Sequence, residues 1–298
     1  MRAPTKWSRP SLSERATAGE AFVGNMRAVL EQIAANAAGA AAGRDPEYLH
    51  QLRVGVRRLR STLQAFRELL RRRRADTVEA PWRAMMQTLG EARDWDVFHH
   101  SLQQGELRTE ARKHQLEAQR RARALVHSDD FTSASRKTFA WAQSHPWRRS
   151  ADPAEPLAAF AQRALERLHR GLRKEVQGIE WRNARRRHRV RIRVKRMRYG
   201  CDFFASAFAH RHARAFLESL RTLQDILGEM NDIEVQRGLL RRLVPAGSPM
   251  QRLEAEGEVR ERLASRERAL IAALGPAWED FESRRLFWRG AATARARE

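Results

Sequence analysis

The chain has 298 residues, of which 42% are hydrophobic, and 58 Lys and Arg stand against 36 Asp and Glu for a formal net charge of +22. That composition supplies a core for one large domain or two ordinary ones and excludes collagen-like or low-complexity classes; the single cysteine excludes an intrachain disulfide framework, and no apolar run approaches the roughly 18–20 residues that cross a bilayer. An excess of positive charge this large repels itself in a compact state, so it points to a polyanionic partner: nucleic acid, a phosphate polymer or an anionic surface.

Leu, Ala, Arg, Glu and Gln dominate and strand-like alternation is scarce, so the expected fold is all-α. Residues 1–13 read as a basic tail with no apolar leader segment, frayed over 1–12. The string AAGRDP (41–46) ends one helix and starts another, with Asp45 as N-cap and Pro46 in the first turn. The next helix is predicted over 48–74. Its core face is Leu52, Val56, Leu59, Leu63, Phe66 and Leu70, and beside that face runs a strip of His50, Arg53, Arg57, Arg60 and Gln64. Arg58 flanks the strip. Gly55 lies beside the apolar stripe and implies close helix packing. In LGEARDWDV (89–97), Asp94 is expected to cap a helix that starts there. HPWRRSADPAEP (145–156) carries three prolines and reads as a linker.

The helix predicted over 182–208 contains HRVRIRVKRMR (188–198), where seven of eleven residues are His, Lys or Arg. Val190, Val194, Met197, Cys201, Phe204 and Phe208 face inward. His188, Arg191, Lys195 and Arg198 line the adjacent strip, and Arg196 flanks it. Each strip runs along about 15 Å of helix edge. LGEMNDIEV (227–235) follows, then a turn at VPAGSP (244–249), a break at LGPAW (274–278) and a frayed end at GAATARARE (290–298).

The order of these pieces contains an internal repeat. HQLRVGVRRLR (50–60) aligns with HRVRIRVKRMR at an offset of 138, and LGEARDWDV aligns with LGEMNDIEV at the same offset. Two motifs at one offset with no gap imply two homologous helical units, 14–148 and 149–290, with 148–156 linking them and tails at 1–13 and 291–298.

Between Trp181 and Cys201 there are ten Lys or Arg and no acid, so the i, i+4 partners of an ordinary solvated helix face are missing. Some of these arginines are expected to fold back onto the LGEARD and LGEMND carboxylates and orient the others. His50 and His188 each sit at a helix start, where a cap or core-edge role competes with anion binding. Neither has a second His or a carboxylate at metal-ligand spacing. No G-x-x-x-x-G-K-[ST] string is present, and the RDWD carboxylates at i, i+2 do not face each other on a helix. No catalysis and no cofactor are expected. The strips carry no aromatic platform for bases apart from Tyr199 at the edge, since Trp82, Trp95, Trp141 and Trp181 read as helix-start or core residues. A reader of charge density is therefore favoured, and non-sequence-specific nucleic-acid backbone binding is the alternative.

With these motifs in this order, LHQLRVGVRRLRSTLQAF and RHRVRIRVKRMRYGCDFF followed by LGEARDWDV and LQDILGEMNDIEV, the chain resembles the CHAD family, the conserved histidine α-helical domain, over about 14–290. The resemblance implies two four-helix bundles related by a pseudo-two-fold axis. It implies binding of long-chain inorganic polyphosphate on a basic surface built from both His/Arg helices, and targeting to polyphosphate granules; the lone cysteine and the lack of a leader or spanning run make a cytoplasmic location without membrane insertion the expectation. Sulfate or phosphate ions would occupy the same surface. The family's basic signature positions fall on His50, Arg53, Arg57, Arg58 and Arg60, and on His188, Arg191, Lys195, Arg196 and Arg198. Asn231 stands where the first copy has Arg93, so Arg93 is expected to serve one side only.

Overall fold

A computed structural model describes residues 3–13, 15–43, 45–208, 210–244 and 250–289. Among these residues the fold is all-α. Nine α-helices run α1 (Ala18–Ala42), α2 (Pro46–Ala65), α3 (Arg72–Ser101), α4 (Glu106–His127), α5 (Asp129–Gln143), α6 (Leu157–Val176), α7 (Ala184–Phe203), α8 (His210–Leu243) and α9 (Met250–Ser283). Extended pairing is confined to two isolated bridges, Thr17 with Pro156 and Leu70 with Trp147. None of these helices is long and apolar enough to cross a membrane.

α2 begins as its sequence requires: Asp45 accepts the Glu47 amide at 2.8 Å and Pro46 opens the first turn. It ends at Ala65, nine residues before the predicted end. The backbone of 69–71 bonds to 146–148 instead of continuing the helix, with Arg71 N donating to Pro146 O at 3.1 Å and Arg148 N to Leu69 O at 2.7 Å. Phe66 and Leu70 remain core residues outside the helix. α7 likewise stops at Phe203, before a short 3-10 turn at Ala205–Ala207, and Phe208 beyond it packs partly buried against the core. Both bounds of α7 lie 138 residues beyond those of α2.

Two predicted helix boundaries are absent. Asp94 caps nothing, because α3 runs unbroken past it to Ser101; Trp82, Met85, Leu89, Ala92 and Trp95 are buried at helical spacing on both sides of Gly90. Pro276 sits inside α9, where buried Leu274 and Phe281 hold the helix in the core across the missing amide. In the other direction, α4 and α5 are separated where Ser128 accepts the Phe131 amide, so five helices precede the link and four follow it. The predicted turn at 245–249 and the tail from 290 lie outside the described residues.

Two segments expected to be loose are packed. Thr5 N donates to Asn36 Oδ1 at 3.0 Å, and the Trp7 ring meets Phe203 edge-on at 6.3 Å. The proline-rich link is tied to the start of α1, with Ala18 N donating to Glu155 O at 3.0 Å and Gly19 N to Pro153 O at 2.9 Å.

α2 packs on α1, α3 and α7, while α7 packs on α6, α8 and α2, and α3 also meets α8. α2 and α7 therefore form the centre, with α3 and α8 beside them. The apolar stripes hold this arrangement: Leu52, Val56, Leu59, Val190, Val194 and Met197 are fully buried. Phe66, Phe160 and Phe204 join the two halves through ring contacts of 5.1 to 5.8 Å.

At Gly55 α2 approaches α1 closely, since a Cβ there would lie 2.8 Å from Ile33 Cγ1. Gly55→Ala gains up to about 1 kcal/mol of helix propensity but overpacks a rigid buried contact at a cost of about 1–3 kcal/mol, so it should lower unfolding stability. Gly257→Ala in α9, where a Cβ meets nothing within 4 Å, should raise stability by about 0.5–1 kcal/mol. Urea denaturation of both variants checks the opposite signs.

Candidate functional site

The α2–α7 seam opens into a cleft of about 650 Å³, walled by α3 and α8. Five of the ten predicted site residues line it: His50, Arg53 and Arg57 from α2, and Arg191 and Lys195 from α7. An adjoining cavity reached by Arg185 and His188 shares Arg191 and Asn231 with the cleft. A third opening shares Arg57, Lys195, Gly228 and Asp232 and ends at Tyr199. The three form one continuous groove with His188 at one end.

The other four predicted residues do not line these openings. Arg60 Nε donates to buried Glu79 Oε1 at 2.8 Å. Arg196 faces the same region, where burial lowers its pKa, helped by Arg193 and opposed by Glu79. The Arg58 guanidinium lies 4.5 Å from the Trp7 ring centre and 3.9 Å from Asp202. Burial raises the Asp202 pKa against the pull of Arg198 and Arg58, which places Arg198 beside that pair. The 182–201 stretch also finds acids across helices where it has none along the chain: Arg187 bonds Glu267 at 2.5 Å and Arg189 bonds Glu175 at 2.7 Å.

Within the cleft, compensation is thin. Arg53 Nη1 lies 3.7 Å from Asp94 Oδ1 and donates to Gly90 O at 3.4 Å. Asp94 therefore folds onto the basic strip, the role foreseen for the LGEARD carboxylates. Its pKa is nevertheless raised, because burial and the nearby Asp232 outweigh Arg53, while burial lowers Arg53 to about 10. Both partners shift toward neutrality, the behaviour of a buried pair whose desolvation exceeds its Coulomb gain. The Nε atoms of Arg53 and Arg191 are buried without hydrogen-bond partners.

Lys195 carries the largest strain. Burial, then Arg57 and Arg191, push its pKa from 10.5 down to about 7. His50 is also lowered, first by burial and then by Arg93. Lys195 is thus a cleft group that titrates near neutral pH. Desolvated cations with unsatisfied donors have the chemistry to accept an anion.

Further residues of α3 and α8 line the cleft. Arg93 on α3 and Asn231 on α8, equivalent positions in the two motifs, both line the cleft. Arg242 extends from α8, 3.0 Å from Glu91 Oε1 and 5.1 Å above the buried Trp95 ring. Asn231, Val235, Leu239 and Arg242 share one face of α8 by spacing, and that periodicity is the sequence signal for Arg242.

Comparisons with known proteins agree with this architecture. The CHAD domain family model matches residues 25–241. The crystal structure of the CHAD domain from the plant Ricinus communis superposes with a TM-score of 0.81 at 29% identity, covering 96% of this chain and 98% of that one. PptA from Streptomyces chartreusis superposes with a TM-score of 0.69 at 16% identity, covering 89% of this chain and 100% of that one, a likeness of fold. No curated protein matches the chain.

The folded pKa of Lys195, about 7, lies below its ordinary 10.5, so between those values the unfolded chain binds more protons than the folded one. Its destabilising contribution is complete below pH 7 and fades as pH rises to 10.5. Lys195→Met should raise the melting temperature of the unliganded protein at pH 7 and flatten the gain in stability between pH 7 and pH 10. Thermal melts across that range, followed by circular dichroism, test both effects.

Proposed function

Because the chain belongs to the CHAD-domain family, we propose that it binds long-chain inorganic polyphosphate in the α2–α7 groove, holding the polymer without cleaving it. The observation that carries this reading is the convergence of His50, Arg53, Arg57, Arg191 and Lys195 on one cleft. Each arginine offers a planar fork of donors to phosphate oxygens, and bound phosphate charge repays the desolvation of all five groups. His188 and Arg185 extend the path beyond a single phosphate. The two units lie about a pseudo-two-fold axis in this proposal, which the recurrence of helix bounds between α2 and α7 supports. An anchored polymer of this kind fits a cytoplasmic protein at polyphosphate granules.

Arg58, Arg60, Arg196 and Arg198 belong to the supporting structure in this reading and not to the direct contact surface. Nucleic acid is the weaker reading, because no Phe, Tyr or Trp lines the central cleft, so bases find no stacking platform there. Binding is driven in part by counterion release and falls steeply with salt, in the form known for nucleic acids.

Titration with long-chain polyphosphate should show that Arg53→Ala with Arg57→Ala, and separately Arg191→Ala with Lys195→Ala, each weaken binding at least about tenfold, from charged hydrogen bonds worth about 1.5–3 kcal/mol apiece. A silent pair would show that one helix does not contribute. Single- or double-stranded DNA bound as tightly at the same salt would overturn the choice of polymer. Affinity should also rise as pH falls from 8 to 6, because the anion selects protonated Lys195; a flat profile would remove Lys195 from the contact surface.

A further inference from the structure

A second cavity, of about 800 Å³, opens where the C-terminal half of α6 and the turn after it meet α9. It shares no lining residue with the groove. Its volume falls within the roughly 300–1,000 Å³ of small-molecule sites. Unlike the central cleft, it is lined by two half-buried indoles, Trp181 and Trp278, together with the exposed cations Arg170 and Lys174. Neither cation has a carboxylate within ion-pair distance among the described residues.

The negative groups in this cavity are already neutralised. Glu166 accepts Arg289 at 2.7 Å and the Trp288 indole N–H at 3.1 Å, while Glu282 accepts Arg173 at 3.0 Å. The carboxyl end of α6, whose dipole would repel an anion, is covered by Arg186, which donates to Gly178 O at 2.6 Å and Gln177 O at 2.9 Å. His169 also lines the cavity, buried against Phe281 and Trp288, and burial lowers its pKa, so it offers a neutral polar edge.

We propose that this cavity binds a nucleotide, with the base against Trp181 and Trp278 and the phosphates on Arg170 and Lys174. The separation of chemistries carries the assignment. A bare phosphate polymer gains nothing from an indole, whereas an aromatic base gains about tenfold or more in affinity from one stack. The central cleft offers cations without aromatic rings; this cavity offers both, with its acids paired away.

Calorimetric titration of the full chain with ADP, and with pyrophosphate as the same diphosphate lacking a base, tests the assignment. ADP should bind saturably with a Kd of about 1 mM or tighter, and pyrophosphate should bind this cavity at least about tenfold more weakly. Trp278→Ala should cost about tenfold in ADP affinity. The exposed pair Arg170→Gln with Lys174→Gln, which does not threaten the core, should cost a similar factor. Arg53→Ala with Arg191→Ala should leave ADP affinity unchanged, and this control separates failure here from failure of the groove reading. The proposal is overturned by absent ADP saturation, by pyrophosphate binding equally well to the chain carrying Arg53→Ala with Arg191→Ala, by ADP binding that ignores the cavity variants, or by its loss on changing the groove.

Discussion

Everything in this molecule follows from holding two cationic helices side by side. α2 and α7 turn apolar stripes inward and carry His50, Arg53, Arg57, Arg191 and Lys195 into one shared cleft. The balance can be judged from magnitudes. Driving Lys195 from 10.5 to about 7 corresponds to roughly 4–5 kcal/mol against its charged form. Full burial of the six stripe residues contributes about 1.5–3 kcal/mol each. Packing therefore wins, and the electrostatic strain remains in the cleft, available to an anion. The cleft is preorganised because the core has already fixed the helices that bear the donors.

The remaining charges are sorted by their surroundings. Arg60 is committed to Glu79, Arg58 to Trp7 and Asp202, and Arg187 to Glu267 and the carbonyls of Trp181 and Arg182. These contacts hold α2, α3, α7 and the N-terminal segment in register. Arginine serves such positions because it keeps its charge in partial burial. Lysine differs: at position 195 it can shed a proton and so lower the strain in the cleft. One basic motif thus performs two tasks, and the face on which a residue falls decides which.

Much of this was legible in the sequence. The wheel placed the core stripes correctly because helical periodicity depends only on local geometry, and the buried Leu52, Val56, Val190 and Val194 follow it. The cap at Asp45 and the tight approach at Gly55 were readable for the same reason. Helix ends were less so. The stop at Ala65 depends on backbone bonds to 146–148, far along the chain, and the passage of α9 through Pro276 depends on its buried face. The choice between Asp94 as a cap and Asp94 as a partner of Arg53 needed the third dimension. So did the commitment of Arg58 and Arg60, since their acids lie on other helices or in distant segments. The crowding of Lys195 by Arg57 exists only once α2 and α7 meet.

The most direct test of the strained cleft is the proton count of binding. Calorimetry of the full chain with polyphosphate at pH 8, repeated in buffers of different ionisation enthalpy, measures it. If the empty cleft holds Lys195 largely neutral and the polymer restores its charge, binding takes up about one proton per site, and Lys195→Met abolishes the uptake. Tight binding with no proton uptake would show that these cations are fully charged before the polymer arrives, and the account of a cleft held under electrostatic strain would fail.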